Sequence, residues 1–81
     1  MSAKKMYVCT VTLPDGKAVV ATACSESLDD DVHVEWSGVT DRFGPVLHGK
    51  YSVDFLRWYL EAKSQRLGGQ FEFKVNGQGA P

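Results

Sequence analysis

Few side chains here are equipped for chemistry: Cys9, Cys24, His33, His48 and an acidic run, Asp29-Asp30-Asp31-Val32-His33-Val34-Glu35. A metal site needs ligands at short spacing, and these soft ligands form neither a Cys-x-x-Cys pair nor a histidine pair at helical spacing. The acidic run lacks the glycine and terminal glutamate of a calcium loop, so it reads as a solvated turn. We expect neither a metal nor another cofactor. Nucleophilic catalysis needs a nucleophile, a base and a group that orients the base. Cys9 or Ser52 could be set beside His48, but Ser52 is better used as a helix cap and Cys9 falls on the core side of a strand. Gly49-Lys50-Tyr51-Ser52 echoes a phosphate-binding loop without its first glycine. The expectation is a protein that is not an enzyme.

The elements around these groups are short and alternate well. Met6 to Leu13 and Lys17 to Ser25 are rich in Val and Thr and are joined by Pro14-Asp15-Gly16. Proline presets the first corner, aspartate tolerates the second and glycine takes the positive φ of a bulged loop, which predicts a β-hairpin. With Leu13 facing Lys17, one face carries Tyr7, Cys9, Val11, Leu13, Val19, Ala21 and Ala23. The other carries Val8, Thr10, Thr12, Val20, Thr22 and Cys24. Cys9 and Cys24 then point to opposite faces, which predicts two free thiols.

Glu26 to Asp31 is an acidic connection whose Ser25, Ser27 and Asp29 could also cap a short helical turn. Val32 to Ser37 alternates as one strand, with Val32, Val34 and Trp36 inward and His33 and Glu35 outward. Periodicity fails near Gly44-Pro45, and Pro45 to His48 is taken as a short edge strand. Ser52 to Leu67 is the one predicted helix, with Ser52 as N-cap, Asp54 at the positive end, Lys63 and Arg66 at the negative end, and Gly68-Gly69 as the stop. Gln70 to Val75 alternates again, with Phe71, Phe73 and Val75 inward. The predicted fold is α+β: a small antiparallel sheet of about four strands in the order β-β-β-(β)-α-β, with one helix packed on one face. Residues 1–81 are read as a single domain, with 1–5 and 76–81 as frayed tails.

The helix carries more apolar surface than one sheet can cover. Val53, Leu56, Leu60 and Leu67 make one stripe, and Phe55, Trp58, Tyr59 and Ala62 make a second beside it. Together they span about 220° of the helix, against the roughly 100° that one core contact needs. Asp54, Arg57, Glu61, Ser64 and Gln65 are assigned to the remaining polar arc. The second stripe must be covered by residues 39–50, by another copy of the chain or by a different protein. With Arg66 at its edge, it has the composition favoured at interface centres.

Size and charge sharpen this choice. Eighty-one residues hold one small domain, with a stability of roughly 4 to 12 kcal/mol. Such domains often rely on disulfides, a metal or oligomerisation, and the first two are not expected here. The net charge of −1 is unevenly spread. Every charged side chain from Ala18 to Asp41 is acidic, while the segments on either side are net basic. No stretch has the apolar length of a signal peptide or a membrane span, so the chain is read as cytoplasmic. The function expected is a non-enzymatic protein-interaction module, a homodimer that binds and could inhibit another protein. Phe55, Trp58, Tyr59, Ala62 and Arg66 would form one contact and Asp29, Asp30 and Asp31 a second. The alternative is a small-ligand or nucleic-acid binder using Lys50, Arg57 and Arg66, with Lys63 also near enough to the helix to contact phosphate, although a pI near 6.0 without a known motif argues against nucleic acid.

Overall fold

The β-hairpin forms as its turn residues dictate. In the computed structural model, which describes residues 4–76, β1 (Lys5–Thr12) pairs antiparallel with β2 (Ala18–Ser25). Leu13 N–H donates to the Lys17 carbonyl at 2.8 Å and Gly16 N–H returns to the Leu13 carbonyl at 2.9 Å. The Asp15 carboxylate accepts from Lys17 N–H at 3.0 Å. This turn sets Cys9 opposite Ala21 and Met6 opposite Cys24, the register read from the sequence. The face carrying Tyr7, Cys9, Val11, Leu13, Val19, Ala21 and Ala23 is buried.

β6 (Gln70–Asn76) pairs antiparallel with the free edge of β1, so the hairpin's first strand becomes an interior strand of a four-stranded sheet ordered β4-β2-β1-β6. The strand expected over Val32 to Ser37 is instead two. β4 (Glu35–Ser37) pairs with β2, whereas β3 (Asp31–His33) leaves that sheet and pairs with β5 (Lys50–Ser52) in a separate two-stranded sheet. The alternation survives the break: Val32, Val34 and Trp36 are half-buried, and His33 and Glu35 are exposed. Pro45 to His48 is not a strand. Proline lacks the ladder N–H, and the segment is bracketed by Gly44 and Gly49 at positive φ, so the chain becomes regular only at Lys50. Glu26 to Asp30 forms turns and bends without a helical turn.

The helix α1 (Val53–Leu67) has the expected ends. The Ser52 hydroxyl accepts from Phe55 N–H at 3.1 Å, and Gly68 takes the left-handed conformation that lets Gly69 N–H reach the Ser64 carbonyl at 2.8 Å. Val53, Leu56 and Leu60 lie on the sheet with the inward hairpin residues, and the Tyr7 and Phe73 rings stack at 6.1 Å. Two polar assignments change. Ser64 belongs with the buried face, since at about 100° per residue it lies only about 20° from Val53. Its hydroxyl donates to the Glu61 carbonyl at 2.8 Å, which satisfies it without leaving the helix. Lys63 is 8% exposed and lies over aromatic rings, so it does not serve as a solvated cation at the helix end.

Lys5 and Asn76, expected in frayed tails, belong to β1 and β6. Lys4 is exposed and outside any element, and residues 1–3 and 77–81 lie outside the described residues.

Candidate functional site

The outer side of α1 divides at Phe43. This residue follows a turn in which Phe43 and Gly44 N–H both donate to the Thr40 carbonyl at 3.1 Å. Its ring is 1% exposed and meets Trp36 at 6.3 Å between centroids. The Lys63 ammonium sits 4.8 Å from the Phe43 ring centroid and 5.7 Å from that of Tyr59, a cation held between two π faces. The segment after β4 therefore covers the helix flank carrying Tyr59 and Lys63. Tyr51 holds that segment in turn, since its hydroxyl donates to the Leu47 carbonyl at 2.9 Å, and burial raises its pKa.

Nothing among the described residues covers the adjoining flank. Trp58 is 63% exposed and Phe55 41%. Phe55 is the hub of the aromatic group, 5.7 Å from Tyr51 edge-on, 5.8 Å from Trp58 and 6.3 Å from Tyr59 in a stacked geometry. Spacings of three and four residues put these rings on one side of the helix, and Ser52 capping fixes where the first turn begins. Ala62 and Arg66 continue the stripe and are exposed. The described residues offer Arg66 no ion pair.

The acidic residues are joined to this stripe. Ser25 and Ser27 organise the turn through the Ser25 hydroxyl, which donates to the Ser27 carbonyl, and the Ser27 hydroxyl, which accepts from Asp29 N–H. The Leu28 carbonyl then takes Asp54 N–H, one of the unpaired donors at the helix start, at 3.1 Å. Asp31 pairs with Ser52 in the small sheet. Exposed Asp29, Asp30 and Asp31 thus stand at the N-terminal end of α1 beside Asp54, with Arg66 at the opposite end. The acidic run thus adjoins the start of the helix that carries the aromatic stripe, and Arg66 lies near that helix's other end.

The basic residues of the alternative reading do not gather. Lys63 is buried over the rings, Arg57 is bound to Asp54 at 2.7 Å and lies 5.2 Å above the Phe73 ring, and Lys50 stands in β5 opposite His33. Cys9 is fully buried, and burial pushes its thiol up to about 11 against a smaller downward pull from Arg57. It is therefore protonated at neutral pH and inert as a nucleophile.

Cys24 is exposed and unbridged. With Met6, Thr22, Val32, His33 and Glu35 it lines a recess of about 380 Å³ that the sequence reading missed. No local signal marks it, because it depends on the pairing of β2 with β4, whose register, carried two residues past Thr22↔Glu35, aligns Cys24 with His33. Among the described residues, however, no three His, Cys, Asp or Glu side chains converge as metal ligands. No helix there is long and apolar enough to cross a membrane.

Comparison with protein families, curated proteins and solved structures returns no match to this chain.

Proposed function

We propose that this chain is a non-enzymatic protein-interaction module whose contact surface is the outer side of α1, centred on Phe55 and Trp58, with Asp29, Asp30 and Asp31 at one end and Arg66 at the other. The observation that carries this reading is the exposure of Trp58 and Phe55, whose rings meet in a tilted geometry at 5.8 Å. Tryptophan has the largest apolar area of any side chain, and two large rings held rigidly at a solvent face gain most when a partner covers them. Phe55 and Tyr59 pre-order the surface, so little entropy is lost on binding. The flanking charges would steer a partner and set its orientation. The same reading places the protein in the cytoplasm, where the two free thiols, one buried and one exposed on the other sheet face, persist unpaired.

Affinity capture from the native host, with the unaltered protein and with Trp58→Ala and Phe55→Ala variants, tests this directly. Both side chains are more than a third exposed, so each variant should fold, as circular dichroism would verify. Loss of captured protein by about tenfold or more in each variant is expected for residues at an interface centre. Capture unchanged in both would overturn the reading.

A further inference from the structure

We infer that the occupant of this face is a second copy of the chain, docked with its α1 antiparallel to the first about a two-fold axis. This rests on the reading that the outer side of α1 is a protein contact, and it names the partner. A two-fold contact must be complementary to itself, and the surface has that property in both shape and charge.

Along the stripe a large residue, Trp58, is followed four positions later by a small one, Ala62, and both are exposed. Antiparallel helices crossing midway between these positions set each Trp58 against the other copy's Ala62, so that a protruding indole meets a shallow site twice. The same register sets each Arg66 against the other copy's helix start, where Asp29, Asp30 and Asp31 are exposed while Asp54 is held by Arg57. Opposite charges meet at both ends, and the helix dipoles are antiparallel. A parallel arrangement would oppose acid to acid and arginine to arginine. From Phe55 to Arg66 the stripe is about 16 Å long. That is shorter than a standard interface side, so a dissociation constant in the range of about 1 to 100 µM is expected.

Sedimentation equilibrium of the whole chain, from about 1 µM to about 500 µM, should show reversible dimerisation. Trp58→Ala should weaken it at least tenfold. Arg66→Glu should weaken it by a similar factor, as should a variant with Asp29→Lys and Asp30→Lys, because each makes both ends repulsive. Mixing those two charge variants should restore dimers, since the acidic end of one then meets Arg66 of the other and the lysines meet the introduced glutamate. A parallel dimer would not be weakened by Arg66→Glu alone.

A monomer at all concentrations overturns the inference, as does a dimer indifferent to Trp58→Ala and Arg66→Glu. A benzophenone amino acid placed at position 65, exposed beside the stripe and outside its proposed contacts, separates this failure from failure of the interaction reading. If the protein is monomeric but cross-links to a different protein in host extract, only the second-copy assignment falls. If it is monomeric and cross-links to nothing, both fall.

Discussion

Phe43→Ala tests the division of the helix surface into a covered and an open flank. Phe43 is 1% exposed, so truncation removes a full phenyl group from the core and leaves a cavity, at a cost of about 3 to 5 kcal/mol. The ring also carries the Lys63 ammonium at 4.8 Å, a contact of about 0.5 to 1 kcal/mol that is lost with it. Against a total of roughly 4 to 12 kcal/mol for a domain of this size, the variant keeps about two thirds of its stability at best and is unfolded at worst. Phe43→Leu preserves most of the volume and should cost about 1 to 1.5 kcal/mol, which keeps the comparison measurable if the alanine variant does not fold. Trp58→Ala is the control. A residue 63% exposed should change monomer stability by no more than about 0.5 kcal/mol, even though the side chain removed is larger. Urea unfolding followed by fluorescence serves for the Phe43 variants, because Trp36 lies 6.3 Å from that ring. Protein at about 1 µM avoids any contribution from self-association. A cost below about 1 kcal/mol for Phe43→Ala, or a cost for Trp58→Ala as large as that for Phe43→Ala, would show that Phe43 does not divide the helix surface in this way.

Cys24 should react with a thiol reagent in the native protein, whereas Cys9 should react only after unfolding; a count of one equivalent native and two denatured checks this. The raised pKa of Cys9 also gives a pH dependence. The unfolded thiol ionises near 9 and the folded one near 11, so the stabilising contribution is whole below about pH 9 and is lost as pH rises through 11, on the order of 2 to 3 kcal/mol in unfolding titrations of the protein against Cys9→Ala. Gly69→Ala should lower stability by about 1 to 3 kcal/mol in thermal unfolding, because a Cβ there runs into the Thr12 carbonyl oxygen although φ itself is not left-handed. Ser52→Ala should cost about 1 kcal/mol in the same measurement, since it leaves Phe55 N–H without its acceptor.

Features legible in the sequence are those set by neighbouring residues. Pro14-Asp15-Gly16 dictates a three-residue turn, the turn dictates the register, and the register dictates that Cys9 is buried while Cys24 is not. Ser52 and Gly68 mark the helix ends for the same local reason. Strand partners depend on distant groups and are harder to read. Val32 to Ser37 keeps one alternation of facing while its halves pair with β5 and β2, and alternation reports which way a side chain points but not which strand lies beside it. Phe43 lies in a segment without periodicity, so no pattern announces it as core, yet it decides the fate of the helix stripe. Tyr59 and Trp58 are neighbours of similar character, and only the placement of Phe43 and Lys63 separates a half-covered ring from an open one.

That separation also bears on why the chain tolerates such an apolar helix. Complete coverage of α1 by its own loop would require the segment between β4 and β5 to cross over Phe55 and Trp58. Instead it turns at Thr40, inserts one ring and returns to β5 through the Tyr51–Leu47 hydrogen bond. A loop that carried a second ring to the far flank would have to order more residues, each at about 1 to 2 kcal/mol of backbone entropy, in a domain with only several kcal/mol to spare. Shielding that flank with another molecule, as proposed, would avoid this cost within the monomer and make the shielding depend on concentration. A hydrophobic surface kept open in this way calls for features that limit nonspecific association. On the proposed reading the charged ends of the stripe would meet that need, because a docking partner would have to satisfy Asp29, Asp30 and Asp31 at one end and Arg66 at the other as well as cover the rings.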